Sequence, residues 1–293
     1  MSTTQSGPDQ DKARPRDPAP VFLDARREFA ARFLAGEGLE IGALHLPLET
    51  PRGAHVRYVD RMSVEDLRAE YAELEEWDLT PVDVIDNGEL LSTIPEGSQD
   101  FIVANHFLEH CEDPIRTIET HLSKLRPGGV LFYAVPDKRY TFDSRRPPTP
   151  LEHVVADHEQ GAERSRAGHY DEWARLVVDS EAPAGAEGAA FEEWAARRAR
   201  ELEEDAYSIH MHVWTQAEFL ELILHCRDRS AGAFDIEAAA RQAIEFIVVL
   251  RKAGPPPVPP PSAPAPGGTS RRRRLARRVV SRLRSAASRP AGR

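Results

Sequence analysis

The sequence predicts a doubly wound α/β domain: a mostly parallel seven-stranded sheet with an antiparallel final strand and a helical insertion after the fifth strand. Three observations predict it. Short apolar runs alternate with helix-like stretches from 39 to 135, and the stretch 143–208 is charged and breaks that rhythm. Two further apolar runs, 234–241 and 244–250, lie too close together to be joined by anything but a hairpin.

Residues 1–20 carry no hydrophobic period and are expected to form a disordered leader, with an ordered catalytic domain over 21–253. Phe22, Arg26, Phe29, Phe33 and Leu34 recur at near-helical intervals, which predicts a helix over 23–34 ahead of the first strand. Strands are expected at 39–43, 56–60, 82–86, 101–104 and 130–135, and helices at 63–76 and 114–125. Repeated βαβ units fold as right-handed crossovers into a parallel sheet covered on both faces. Asp113 can cap the helix that begins at Pro114, and the Arg126, Pro127, Gly128, Gly129 run is expected to stop it.

The insertion 143–208 has helical patches near 151–159, 169–178 and 190–204 and reads as a lid or substrate-facing element. A helix over 215–227 precedes the hairpin. Residues 254–270 are a proline-rich linker, and 271–293 form a basic tail with ten arginines and no acid. Removing that tail leaves 28 basic against 48 acidic side chains, a net charge of about −20. An acidic body argues against a phosphate-binding groove for nucleic acid. The tail, with Leu275, Val279, Val280 and Leu283 on one helical face, suits an anionic membrane surface or a polyanion, or else is a solvating tail.

No run approaches the ~20 apolar residues that span a bilayer, and the N-terminus lacks the apolar centre of a signal peptide. The expected location is therefore cytoplasmic, with peripheral attachment to the inner membrane face through the tail. Cys111 and Cys226 stand alone in sequence, so buried free thiols are expected.

Open α/β sheets bind ligands beyond the carboxyl ends of their strands. There the chain offers Glu40 and Gly42, then Asp60, then Asp86, Asn87 and Gly88, then Asn105 and His106 within the run 100–110 that ends Leu108, Glu109, His110. Together with the run from Leu125 to Gly129, these residues resemble class I S-adenosylmethionine-dependent methyltransferases over roughly 35–252. The segment 39–140 is similar to the bacterial type 11-like members. The resemblance implies the Rossmann-like methyltransferase fold, S-adenosyl-L-methionine as cofactor and methyl transfer to a small-molecule or glycan acceptor, expected at oxygen. A non-catalytic, cofactor-binding scaffold tethered by its tail is the alternative.

The cofactor-binding residues it implies are Glu40, Gly42, Ala43, Asp60, Asp86, Asn87 and Asn105. Gly42 lets the backbone turn close to the methionine part, and Glu40 orients that loop or receives the ammonium. Asp60 offers acceptors to the ribose hydroxyls, and Asp86 would accept from the adenine amino group. A dinucleotide site is disfavoured, because 42–47 holds one glycine and a proline where a pyrophosphate cradle needs three glycines.

A hydroxyl acceptor benefits from a general base, which directs attention to five histidines: His106, His110, His153, His210 and His212. His106, nearest the expected methyl position, and the pair His210 and His212 on one extended face are the catalytic candidates; His110 is expected to pack within the fold. Spacing gives the pair no third ligand, so no metal is expected. Lys138 and Arg139 suit an anionic acceptor or else a solvated surface.

Overall fold

The computed structural model describes residues 21–70 and 77–254. The expected leader, the end of the helix placed at 63–76, nearly all of the linker and the basic tail lie outside them. The elements run α1 (Val21–Phe33), β1 (Gly36–Ile41), β2 (Ala54–Asp60), α2 (Val64–Glu70), β3 (Val84–Ile85), β4 (Gln99–Asn105), α3 (Pro114–Lys124) and β5 (Leu125–Pro136). They continue with α4 (Leu151–Gln160), α5 (Arg166–Leu176), α6 (Ala189–Glu204), α7 (Gln216–Arg229), β6 (Phe234–Gln242) and β7 (Glu245–Lys252).

One seven-stranded sheet has the order β3-β2-β1-β4-β5-β7-β6. β1 to β5 are mutually parallel, and β7 runs antiparallel to both β5 and β6. The central strands β4, β5 and β7 are buried on both faces, which is why they are nearly continuous apolar runs, whereas β2 and β6 nearer the sheet edges alternate with exposed positions. Successive side chains alternate between two cores. Ile102, Ala104, Leu131, Tyr133, Val248 and Leu250 pack towards α3 and α7, whereas Phe101, Val103, Phe132, Ala134, Ile247 and Val249 pack towards α1.

Local chemistry sets the element ends. Gly42, at φ +66°, terminates β1 two residues earlier than expected. Asp113 accepts from Arg116 N at 2.9 Å with Pro114 in the first turn of α3, and Thr215 with Glu218 forms a reciprocal capping box on α7. β3 is shorter than the expected 82–86, because the Asp83 carboxylate takes the Tyr58 N–H that strand pairing would otherwise use. β5 begins at Leu125, since Gln99 pairs with Leu125 across a register shift, so the run expected to stop α3 lies inside the strand. The insertion holds α4, α5 and α6, with a small core of its own around Tyr170, Trp173, Leu202 and Met211. Cys111 and Cys226 are free and buried. Among the described residues no helix is long and apolar enough to cross a membrane.

Gly38, in the middle of β1, is required by packing: an added Cβ would come within 2.4 Å of the Phe101 ring, which is itself fully buried. Gly38→Ala should destabilise the fold by about 1–3 kcal/mol, read as a lower urea midpoint at unchanged slope; an unaltered midpoint would show that Phe101 can move aside freely.

Candidate functional site

β1 lies between β2 and β4 while the chain leaves them in opposite directions, so the connections diverge beyond its carboxyl end and leave a crevice. The crevice has two lobes. The larger, about 260 Å³, is lined by Gly42, Asp60, Asn87, Glu89, His106 and His110, among others. The smaller, about 150 Å³, is lined by Arg26, Glu40, Ala43, His45, Asn105 and again Gly42 and His106.

The smaller lobe is governed by charge. Glu245, fully buried, takes a two-point hydrogen bond from Arg26 at 2.9 and 2.5 Å and a third contact from His106 Nε2 at 2.9 Å. Burial pushes the Glu245 carboxyl up, but the Arg26 and His106 hydrogen bonds outweigh it and hold the group below the usual carboxylate range. Glu40, also buried, has no such direct cationic partner among the described residues. Both of its oxygens accept from Leu48 N at 3.0 Å, which fixes the loop after β1, and Oε1 accepts from Asn105 Nδ2 at 3.3 Å. Burial drives its pKa up to about 7 against the pull of Leu48 N–H, Arg26 and Asn105. Asn105 Oδ1 is buried with no partner among the described residues.

A buried carbonyl without a partner among the described residues, beside a carboxyl whose pKa burial has raised, is the environment that a positive amine would complete. The donor set therefore fits the ammonium end of an amino-acid cofactor. Gly42 fits as well, since its positive φ turns the backbone away and a Cβ there would meet nothing within 4 Å.

In the larger lobe Asp60 is half-buried, with Oδ1 accepting from Arg61 N at 2.7 Å. Burial raises its pKa, and further donors such as hydroxyls would relieve that penalty. Glu89 likewise titrates at about 7, first through burial and then through repulsion from Glu112. Gly88 forms part of the floor, where a Cβ would strike Ile41 Cγ2 at 2.6 Å and Phe107 Cζ at 2.7 Å.

Glu40, Gly42, Ala43, Asp60, Asn87, Asn105 and His106 thus line one crevice. Asp86 does not line it: its Oδ2 accepts from Thr93 N and Oγ1, both at 2.7 Å, which holds the turn carrying Asn87. Asn87 Oδ1 is turned inward onto Glu89 N at 2.8 Å, so Asn87 faces the crevice as a turn former. His210 stands one ring back, edge-on to His110 at 4.7 Å, with Nδ1 2.7 Å from Asp143 Oδ2. His212 is fully buried elsewhere, against Asp157 and the Cys111 carbonyl, and does not reach the crevice. Lys138 is neither solvated nor in the crevice; it is buried and donates to Ser144 O, while Arg139 pairs with Asp137.

Sequence reasoning missed Glu245, Glu89 and Glu109. Glu245 was findable, since the first residue of an antiparallel strand beside β5 must lie near the carboxyl ends of the parallel strands. Glu109 is buried with both oxygens unpartnered among the described residues, and it lies with His110 and His210 in a group whose ligating atoms are all within 4.8 Å of one another. That group has the donors to hold a proton or a cation.

The raised Glu40 pKa has a testable sign. The folded protein keeps this proton to about pH 7 whereas the unfolded chain releases it near 4.5, so stability falls as pH rises through that window. Glu40→Gln should flatten that fall in urea titrations between about pH 4.5 and 7, leaving the part due to Glu89, which is raised over the same range; an unchanged slope would show that Glu40 is ionised throughout.

The methyltransferase-domain family matches residues 26–225. No curated protein matches the chain. Among solved structures, the chain is similar to the CurJ carbon methyltransferase (14% identity, TM-score 0.38), with 75% of this chain covered, and it spans about half, 49%, of that one. It is similar to an S-adenosylmethionine-dependent methyltransferase from Aquifex aeolicus (10% identity, TM-score 0.42, 79% and 89% covered). It is also similar to a protein from Rhodobacter sphaeroides described as a zinc-dependent alcohol dehydrogenase (18% identity, TM-score 0.46, 81% and 92% covered).

Proposed function

The chain belongs to the methyltransferase-domain family and uses S-adenosyl-L-methionine as its methyl donor; we propose that it methylates an oxygen of a small-molecule or glycan acceptor, with His106 as general base. When bound, the donor supplies a methyl carbon activated by the adjacent positive sulfur. The protein's task is then to position both reactants and exclude water.

Glu40 and Asn105 are assigned to the ammonium, the Gly42 and Ala43 backbone to the methionine carboxylate side, and Asp60 to the ribose hydroxyls. Asn87 and Gly88 border the base, held there by Asp86. The observation that carries this reading is the pairing of Asn105 Oδ1, buried without a partner among the described residues, with the buried Glu40 carboxyl in a lobe shared with Gly42.

His106 lines both lobes, and its ring is held through Nε2 by Glu245. Glu245, kept ionised by Arg26, accepts from Nε2–H, which leaves Nδ1 as the nitrogen able to take a hydroxyl proton. His106 also adopts φ +51°, a left-handed conformation unusual for a non-glycine residue, and such strain is retained where the surroundings impose it. Beside His210, the exposed Phe142 ring, backed edge-on by the buried Trp173, offers an apolar face suited to a ring-shaped, hydroxylated acceptor. The composition of 271–293 supports an anionic surface or polyanion as the partner of that end of the chain.

Calorimetry should show S-adenosylmethionine binding that weakens at least ~10-fold in Asp60→Ala, a change that removes charge-strengthened hydrogen bonds to the ribose; equal affinity would remove Asp60 from the site. His106→Asn should lower kcat about 10²- to 10⁴-fold, with cofactor affinity nearly unchanged and the acidic limb of the pH–rate profile, where a general base is lost to protonation, abolished. Retention of that limb would assign the proton transfer to another group, His210 being next in line.

A further inference from the structure

The packing of the insertion brings together four side chains that methyl transfer does not use. α4 presents His153 and Asp157 one turn apart, α5 presents His169, and the segment leading into α7 presents His212. His153 Nε2 lies 3.2 Å from His169 Nε2 and 3.2 Å from Asp157 Oδ2; His212 Nε2 lies 3.2 Å from the same oxygen, and His169 Nε2 lies 3.9 Å from it. All four ligating atoms fall within 4.8 Å of one another, and Asp157, His169 and His212 are buried.

Hydrogen bonding alone does not account for this arrangement. His212 Nδ1 is 3.1 Å from the Cys111 carbonyl, an acceptor only, so the proton of the neutral ring sits on Nδ1 and Nε2 offers a lone pair. That lone pair then faces a carboxylate oxygen at 3.2 Å. Two lone pairs at this distance need a positive centre between them, and a fully buried imidazolium is costly. His153 Nε2 can give its single hydrogen to His169 or to Asp157, not to both. Three of the separations, each 3.2 Å, have a simple source, and the 3.9 Å one would shorten slightly on the same account. Bonds of about 2.0–2.1 Å from a tetrahedral zinc ion to imidazole nitrogen and carboxylate oxygen give ligand–ligand separations of about 3.3–3.4 Å.

We propose that His153, Asp157, His169 and His212 bind one zinc ion tetrahedrally, through the three Nε2 atoms and Asp157 Oδ2. Three imidazoles and one carboxylate suit zinc among the divalent cations, and the Cys111 carbonyl on His212 Nδ1 is the outer partner that fixes the ligating tautomer. With every position taken by protein, the ion is structural. It ties α4 and α5 to the return segment, whose His212 N–H also donates to Glu109 O at 3.1 Å in the turn after β4. The clamp therefore sets the position of His210, two residues away. Sequence spacing offered His212 no third ligand because all three of its partners come from the helices folded over it.

The test uses untagged full-length protein, so that no added histidines bind metal. Elemental analysis should find one zinc per chain. Chelator-treated protein should regain one equivalent on titration with zinc chloride, and cobalt(II) should give the intense visible absorption of a tetrahedral site. His153→Ala, at the half-exposed rim, should bind zinc at least ~100-fold more weakly while its circular dichroism stays unchanged, and Asp157→Asn should do the same. Wild-type protein that neither carries nor takes up zinc, a weak six-coordinate cobalt spectrum, or variants that bind zinc like the wild type would each overturn the assignment. The wild-type titrations decide the matter even if a variant does not fold.

Discussion

One buried guanidinium facing two buried carboxylates organises this molecule. Arg26, on the helix before the sheet, is bound at two points by Glu245 and pulls on Glu40 from a distance. Among the described residues, two acids thus face this guanidinium in a space walled by apolar strands, where charge is expensive unless balanced. Glu245 is satisfied; Glu40 keeps a proton instead. From that imbalance follow the loop held by Leu48 N–H, the lone acceptor on Asn105, and the suitability of the lobe for a ligand that arrives with an ammonium group. Glu245 in turn orients His106, so the charge arrangement of the cofactor end reaches the place where chemistry is proposed.

Much of this was legible from residues alone, for a physical reason. A strand covered on both faces, such as β4, must be apolar along its length, so its end shows as an abrupt polar residue, as at Asn105, while Gly42 and Asp60 mark the ends of β1 and β2. The closing hairpin was legible because β6 and β7 are joined by only Ala243 and Ile244. What stayed hidden depends on distant partners. Asp86 looked like a ligand contact and instead ties back to Thr93, a hydrogen bond that spacing does not announce. Glu245 meets His106 across 139 residues of chain, and only the strand order makes them neighbours.

The histidines divide in the same way. His106 follows a strand end, so its placement at the crevice could be read from the motif. His210 and His212 share an extended segment in which alternate rings were expected on one face. The fold separates them: Asp143 takes His210 and Asp157 takes His212. The insertion that seemed only a cover for the acceptor thus carries a polar centre of its own, and its geometry comes from helix packing rather than from any local pattern.

The central claim is that the strand ends of β1, β2 and β4 converge on one S-adenosyl ligand. A crystal structure with S-adenosylhomocysteine tests it most directly. The account predicts the ligand ammonium within hydrogen-bond distance of Asn105 Oδ1 and the Glu40 carboxylate, with the ribose hydroxyls on Asp60. A ligand whose amino-acid end points to solvent, or one seated away from Gly42, would contradict it.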